Sequence, residues 1–193
     1  MCESDRSGHL VQFFEDDMVL YQALTTFALP ALTQNGGVLL AVTAKHRAFI
    51  EYRLSRAGLD VPSLQDSGQL RIIDASELLV SFMNQTTPDA ERFLDSVGAM
   101  VRKMESRFSK LLIYGEMVDL LWAADNRHGA LELESLWNDL GQMHEFTLLC
   151  GYHLSGFAGS ADAPAFRQVC AAHTHVVYGK STLESGVEGP PYT

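Results

Sequence analysis

Short apolar runs of strand length recur along the chain and alternate with segments of helical spacing. A run that is apolar at every position is typical of a strand buried on both faces, as in parallel sheets. The alternation predicts an α/β fold of three layers, in which helices flank a mostly parallel sheet. The predicted strands cover residues 9–16, 37–44, 69–75, 110–117 and 146–154, and residues 174–179 form a candidate last strand.

The first predicted helix follows the strand at 9–16 and has Leu20, Leu24 and Phe27 on one face. We expect Pro30 to kink or shorten this helix, and the glycines after Asn35 to end it. The other predicted helices cover residues 45–58, 76–85, 88–107, 126–144 and 162–173.

The chain has 193 residues, of which 47% are hydrophobic and 20% charged, as in a globular protein with a sizeable core. We expect one domain over residues 8–179. Residues 1–7 and 180–193 are expected to be flexible termini, because the final stretch is rich in glycine, proline and serine. A homodimer through an edge strand or an apolar helix face is compatible with the sequence, which does not select one.

The formal net charge is −10 and the basic residues are scattered singly, so direct binding to nucleic acid or to an anionic membrane is not expected. No apolar run approaches the roughly 20 residues of a membrane span, and the first residues lack the pattern of a signal peptide. The three cysteines, Cys2, Cys150 and Cys170, are an odd number. We therefore expect free thiols and a cytoplasmic location.

Polar residues follow most of the predicted strands. In open parallel sheets, ligands bind at the carboxyl ends of the strands, near the point where the strand order reverses. A carboxylate directly after a buried strand, as at Glu116, is costly unless it is paired or lines a wet site. We expect one edge of the sheet to collect Glu15, Asp16, Thr43, Asp74, Glu116, Tyr152 and His153.

A nucleotide-hydrolysing site is one alternative, since RecA-like folds hold Mg²⁺ with an acidic residue after an apolar strand, as Glu116 is placed. Such a site also needs a glycine-rich cradle that ends in Gly-Lys-Ser/Thr. The sequence contains Gly179-Lys180-Ser181, but Thr174 occupies the first glycine position and no helix is predicted to follow. ATP hydrolysis by the usual route is therefore not expected.

A metal site is a second alternative. His173, His175, Cys150 and Cys170 are residue types that bind Zn²⁺ and other late transition metals. Their spacing matches no established metal motif, and a cysteine at an apolar strand position is usually a small hydrophobe. Buried, hydrogen-bonded histidines are the more ordinary interpretation.

Aromatic residues cluster near the strand ends and on the helix after Glu116. Such residues form the walls of many small-molecule pockets, although core packing explains most of them individually. They are Phe13, Phe14, Trp122, Trp137 and Tyr152.

Several ordered motifs together resemble one family. They are HLVQFFED at 9–16, Asp74-Ala75, GEMVDLLW at 115–122, LESLWNDL at 133–140, FTLLCGY at 146–152 and CAAHTHV at 170–176. The sequence resembles, over about residues 8–177, the MEDS domain, the methanogen/methylotroph sensory domain of a dichloromethane-responsive regulator. The resemblance implies a RecA/KaiC-like fold without the phosphate loop, the sensing of small organic ligands, and signalling through histidine kinases or DNA-binding regulators. A proline that is usual in the family is His153 here.

The family-typical positions implied by the resemblance are His9, Phe13, Glu116, Trp122, Glu134, Trp137, Asn138, Cys150, Tyr152, His173 and His175.

The preferred hypothesis is a non-catalytic sensory domain without a cofactor. It would bind a small organic ligand, a signalling protein such as a histidine kinase or regulator, or both. The two alternatives are a nucleotide-binding switch or weak NTPase, and a metal- or haem-dependent sensor using Cys150, Cys170, His173 and His175. The candidate ligand-binding residues are His9, Phe13, Phe14, Glu116, Trp122, Trp137, Asn138, Tyr152, His153, His173 and His175.

Overall fold

A parallel six-stranded sheet forms the centre of the protein in a computed structural model that describes residues 8–157 and 163–178. Every pair of neighbouring strands in this sheet is parallel. The strands are β1 (His9–Phe14), β2 (Gly37–Val42), β3 (Leu70–Asp74), β6 (Leu111–Gly115), β7 (Thr147–His153) and β8 (His175–Tyr178), in the spatial order β3-β2-β6-β7-β1-β8. A short antiparallel pair, β4 (Met83–Asn84) and β5 (Thr87–Pro88), lies apart from it.

Helices cover both faces of the sheet and so form the three predicted layers. One face carries α1 (Asp17–Thr33), α2 (Ala44–Arg56) and α3 (Val61–Asp66). The other face carries α4 (Ala75–Phe82), α5 (Ala90–Phe93), α6 (Ala99–Glu105), α7 (Met117–Ala123), α8 (Arg127–Met143) and α9 (Ala163–Ala172). A π-helical turn, Leu94–Gly98, joins α5 to α6, and a 3₁₀ turn, Leu154–Phe157, follows β7.

Two hydrophobic cores lie on opposite faces of the sheet because successive side chains of each strand point to opposite sides. In β6, Leu112 and Tyr114 pack against the α1–α3 layer, whereas Leu111 and Ile113 pack against the α4–α9 layer. All five residues of β6 are buried. The continuously apolar runs of the sequence are thus strands covered on both faces, and the predicted fold class is confirmed.

Several predicted strands end earlier than expected because their last polar residues begin helices. Asp16 accepts a hydrogen bond from the backbone N–H of Val19 at 3.0 Å and caps α1, so β1 ends at Phe14. Asp74 caps α4 by accepting from the N–H groups of Ser76 and Glu77. A carboxylate that accepts from the first free N–H groups of a helix is a stabilising N-cap.

The helices confirm the apolar spacing, with three differences. The structure adds α3 and α7, which were not predicted, and the helix predicted over 88–107 contains the π-helical turn. The prediction that Pro30 shortens the first helix was wrong, since α1 continues to Thr33. Pro30 is exposed, whereas Ala28, Ala31 and Leu32 on either side are buried, so packing holds the helix across the missing hydrogen bond.

Some expectations fall outside the described residues, namely the flexible termini at 1–7 and 180–193, the segment Gly179-Lys180-Ser181, and Cys2. No helix in residues 8–157 and 163–178 combines the length and the apolar character needed to cross a membrane.

Gly151 of β7 provides a test of the packing between the two central strands. A Cβ atom at this position would collide with the hydroxyl of Tyr114, whose ring is fully buried. We expect Gly151→Ala to lower the free energy of unfolding by about 1–3 kcal/mol, measured by urea denaturation, because the added methyl group overpacks the core.

Gly141→Ala is the matched control, because a Cβ atom there meets only Phe146, at 3.8 Å. This substitution in α8 is expected to be neutral or to stabilise by up to about 1 kcal/mol, as alanine is the better helix former. Equal effects of the two substitutions would contradict the packing described here.

Candidate functional site

The carboxyl ends of β2 and β6 are neighbours at the point where the strand order of the sheet reverses. From β2 the chain continues outward to β3, and from β6 it continues the opposite way to β7, although β2 and β6 are neighbours. Such a switch point opens a crevice in which ligands of open α/β sheets bind. Thr43 and Glu116 are the residues that directly follow these two strands.

Glu116 is 2% exposed and lies at the bottom of this crevice. Its Oε2 atom accepts a hydrogen bond from the backbone N–H of Thr43 at 2.8 Å. Its Oε1 atom lies 2.7 Å from Nδ1 of His46 and accepts from the hydroxyl of Tyr114 at 3.3 Å. The carboxylate is therefore held by three groups of the protein, which offsets the cost of burying its charge.

His46 connects Glu116 to the surface of the crevice. Its Nε2 atom lies 3.3 Å from Oδ1 of Asp17, whose Oδ2 atom pairs with Nζ of Lys45 at 2.6 Å. Burial by itself would lower the pKa of His46, but the hydrogen bond to Glu116 and the charges of Glu116 and Asp17 outweigh it, so the pKa is raised. The imidazolium form is stabilised between two carboxylates.

Above these residues lies a cleft of about 730 Å³ that we call the edge cleft. Asp119, in its wall, accepts a hydrogen bond from the N–H of His153 at 2.9 Å, and burial raises the pKa of its carboxyl group. The indole N–H of Trp122 donates to the carbonyl of Gly156 at 2.9 Å. The cleft thus combines aromatic and charged walls, which include Phe14, Asp17, Lys45, His46, Asp119, Trp122 and His153.

A second group of polar residues is buried between the sheet and helices α8 and α9. This buried cluster consists of His9, Glu134, Cys150 and His173, and one potential ligand atom from each lies within 4.8 Å of the others. Glu134 is fully buried, and its Oε1 atom accepts from the hydroxyl of Tyr152 at 2.8 Å. Its Oε2 atom lies 3.1 Å from Nε2 of His9 and 3.4 Å from Nε2 of His173.

The electrostatics of the buried cluster depend on Glu134. Burial alone would raise the pKa of this carboxyl group, but the hydrogen-bonding histidines His173 and His9 lower it to about 2. Burial opposes the charged form of His173 too, yet the interaction with Glu134 raises the pKa of this imidazole. Burial and the nearby Glu134 carboxylate raise the pKa of the Cys150 thiol well above its usual range. Glu134 is therefore ionised, and positive charge beside it stabilises the buried carboxylate.

The structure divides the predicted ligand-binding residues among several places. Phe14, Trp122 and His153 line the edge cleft, with Glu116 beneath it. His9 and His173 belong to the buried cluster, and Asn138 and Tyr152 hydrogen-bond to it. Phe13 packs on Tyr152, Phe157 and Phe166 in the core, Trp137 packs on Phe93 and Phe146, and His175 is exposed. Their roles in binding stay predictions.

The residues of the metal hypothesis are also divided. Cys150 and His173 lie in the buried cluster, whereas the half-buried Cys170 and the exposed His175 are not members of it. His9 and Glu134 occupy the other two positions of the group.

Sequence reasoning missed Asp17, Lys45 and His46 in the edge cleft. They lie at the first turns of α1 and α2, which follow β1 and β2. The first turns of helices after parallel strands face the same edge of the sheet as the strand ends, so charged residues there were the available signal. Glu134 was noted only through the family resemblance, because one glutamate within a helical pattern carries no local sign of burial.

The sequence matches the MEDS family model, described as the methanogen/methylotroph, DcmR sensory domain, over residues 8–174. No curated protein matches the sequence significantly. Among solved structures, the fold is similar to that of PH0250 from Pyrococcus horikoshii OT3, with a TM-score of 0.60 and 8% sequence identity. The similarity covers 92% of this chain and 84% of the other, and at this identity it supports a shared fold alone.

The raised pKa of His46 predicts a pH-dependent contribution to stability. The imidazolium form is favoured by folding, so the stabilisation is complete below the unfolded pKa of about 6.5 and is lost as the pH rises through the higher folded pKa. We expect His46→Gln to cost about 1.5–3 kcal/mol of unfolding free energy at about pH 5.5, and less at about pH 9.

Urea denaturation at the two pH values measures the loss of unfolding free energy at each. His175→Gln is the control, because it removes an exposed imidazole from the edge strand. A loss of unfolding free energy for His46→Gln that stays constant or grows at the higher pH would contradict the ion pair with Glu116.

Proposed function

Since this chain belongs to the MEDS family of sensory domains, we propose that it senses a small organic molecule in the edge cleft, without catalysis. One observation carries this proposal: aromatic and carboxylate side chains line a single cleft at the switch point of the sheet. The volume of about 730 Å³ is within the usual range of small-molecule sites, roughly 300–1,000 Å³. The ligand would lie on Trp122 and Phe14.

The charges of the edge cleft favour a ligand with a cationic or hydrogen-bond-donating head group. Lys45 is paired with Asp17, and Arg127 lies 3.6 Å from Asp125 and 5.4 Å above the ring of Trp122. Asp119 adds a further carboxylate, held on one side by the N–H of His153. In our proposal, Asp119 binds an amine or hydroxyl group. A triphosphate is disfavoured because Lys45 and Arg127 already face the carboxylates of Asp17 and Asp125, and Asp119 adds a further negative charge.

The state of Glu116 supports a role without catalysis. A catalytic or Mg²⁺-binding carboxylate needs an oxygen that reaches the substrate or the ion. Both oxygens of Glu116 already interact with Thr43, His46 or Tyr114, and the residue is almost completely buried. We propose that Glu116 holds His46 in the wall of the cleft instead of contacting the ligand.

A signal would leave the edge cleft through the same contacts. His46 lies on α2 and interacts with Asp17 at the start of α1, so a ligand that displaces either side chain also disturbs the packing of these two helices. We propose that the α1–α2 layer transmits the occupancy of the cleft to a signalling protein, such as a histidine kinase or a transcription regulator.

The two tryptophans allow a direct test, because Trp122 lines the edge cleft and Trp137 lies in the core. Trp137→Phe leaves Trp122 as the only indole, and Trp122→Phe leaves Trp137. Benzylamine, benzyl alcohol and benzoate are the probes, since they share an aromatic body and differ in the charge of the head group. We expect benzylamine and benzyl alcohol to change the fluorescence of Trp137→Phe in a saturable way, and benzoate to bind most weakly.

Trp122→Phe should show no response to the same compounds, and Asp119→Asn should remove the preference for benzylamine over benzoate. Circular dichroism verifies that each variant is folded, and titration calorimetry with Mg-ATP tests the nucleotide alternative. The proposal fails if none of the three probes gives a saturable response, if Trp122→Phe responds equally, or if Mg-ATP binds in their place.

A further inference from the structure

We propose that His9, Glu134, Cys150 and His173 form a closed binding site for one Zn²⁺ ion. The site goes beyond the sensing of a ligand in the edge cleft, because its residues lie between the sheet and helices α8 and α9 and line no part of that cleft. It joins parts of the chain that are far apart in sequence: the start of β1, the middle of β7, α8 and the residue after α9.

Four of the six distances between the potential ligand atoms are close to those around a tetrahedral ion, and the other two are within 4.8 Å. Nε2 of His9 is 3.1 Å from Oε2 of Glu134 and 3.3 Å from Sγ of Cys150. The same Oε2 atom is 3.4 Å from both Sγ of Cys150 and Nε2 of His173. Zn²⁺ binds such atoms at roughly 2.0–2.3 Å, so the edges of its tetrahedron measure about 3.3–3.8 Å. Small movements would therefore complete the coordination.

The surrounding hydrogen bonds aim the correct nitrogen of each histidine at the ion. Asn138 donates through Nδ2 to the carbonyl of Ala172 at 3.1 Å, so its Oδ1 faces Nδ1 of His9, at 3.0 Å, and accepts. Nδ1 of His173 lies 2.6 Å from the carbonyl of Val169 and must also donate. Both Nε2 atoms then carry a lone pair in the neutral form, as in metal sites with an ordered outer shell.

The buried cluster has more acceptors than protons when both imidazoles are neutral. The hydroxyl of Tyr152 donates to Oε1 of Glu134. Among the four potential ligand atoms, this leaves the Cys150 thiol as the one hydrogen-bond donor. Nε2 of His173 is buried in a side chain that is 0% exposed, lies 3.4 Å from Oε2 of Glu134, and makes no hydrogen bond of good geometry among the described residues. A lone pair on this nitrogen would face a carboxylate oxygen, so a proton or a metal cation has to lie between the two atoms.

One Zn²⁺ ion satisfies all four atoms at once and leaves the site neutral. On binding, the Cys150 thiol releases its proton to bulk water, so a thiolate and the Glu134 carboxylate balance the two positive charges. No electron transfer is involved. A nitrogen, sulfur and oxygen donor set in a tetrahedral arrangement suits Zn²⁺, with Co²⁺ as its spectroscopic substitute. Four protein ligands leave no open position, so the role of the ion is structural.

The test uses the full chain, produced without a histidine tag, stripped with a chelator and titrated with Zn²⁺ or Co²⁺ alone. We expect about one Zn²⁺ per chain by mass spectrometry of the metal, and a thermal unfolding midpoint that rises with the concentration of free Zn²⁺. The Co²⁺ form should show a sulfur-to-cobalt charge-transfer band and intense visible bands of a tetrahedral site.

The three cysteines of the chain allow matched controls. The double variant Cys2→Ser/Cys170→Ser retains only Cys150 and should bind Zn²⁺ and show the Co²⁺ bands as the parent chain does. Cys150→Ser should lose the charge-transfer band and weaken Zn²⁺ binding at least about tenfold. His173→Ala and His175→Ala form a second pair, of which only the first should weaken binding.

The Co²⁺ spectrum of the parent chain decides the question even if Cys150→Ser does not fold. The proposal is overturned if the parent chain binds no stoichiometric Zn²⁺, if its Co²⁺ form lacks the thiolate band, or if the double variant loses that band. None of these results depends on the fluorescence of Trp122, so this site and the proposed ligand site can fail separately.

Discussion

The covering of the sheet on both faces is the constraint from which the rest of this structure follows. Helices shield every central strand from water, so a polar group on or packed against these strands has to find its partner inside the protein. Two carboxylates, Glu116 and Glu134, are almost or completely buried under this condition. Each gathers donors from elements that are distant in sequence, and each thereby determines the geometry of one site.

Tyr114 and Tyr152 show how the two sites are built into the central strands. Tyr114 of β6 donates to Glu116, and Tyr152 of β7 donates to Glu134. Burial is the main reason that the pKa values of both hydroxyl groups lie well above their usual range, so they remain donors throughout the physiological pH range. Neutral tyrosines can supply these hydrogen bonds without adding a second buried charge.

The edge cleft and the buried cluster touch through aromatic side chains. The ring of Trp122, in the wall of the cleft, meets the ring of Tyr152 edge-on with 5.6 Å between the centroids. The hydroxyl of Tyr152 in turn binds Glu134 at 2.8 Å. A rigid cluster beneath Tyr152 would therefore support the orientation of the tryptophan on which we place the ligand. Through this contact, the proposed Zn²⁺ ion would help to hold Trp122 in place in the wall of the edge cleft.

Local patterns in the sequence determined the elements and the fold class. Continuous apolar runs, helical spacing and capping residues such as Asp16, Asp74 and Asn126 act over a few positions, and buried parallel strands follow from them. The same patterns placed Glu116 after a strand, at the edge where it lies. The tertiary structure alone decided that His46 pairs with Glu116, and that His9 meets Cys150 from 141 positions away. Side-chain partners of this kind are chosen by strand order, register and helix packing, which no short stretch of sequence encodes.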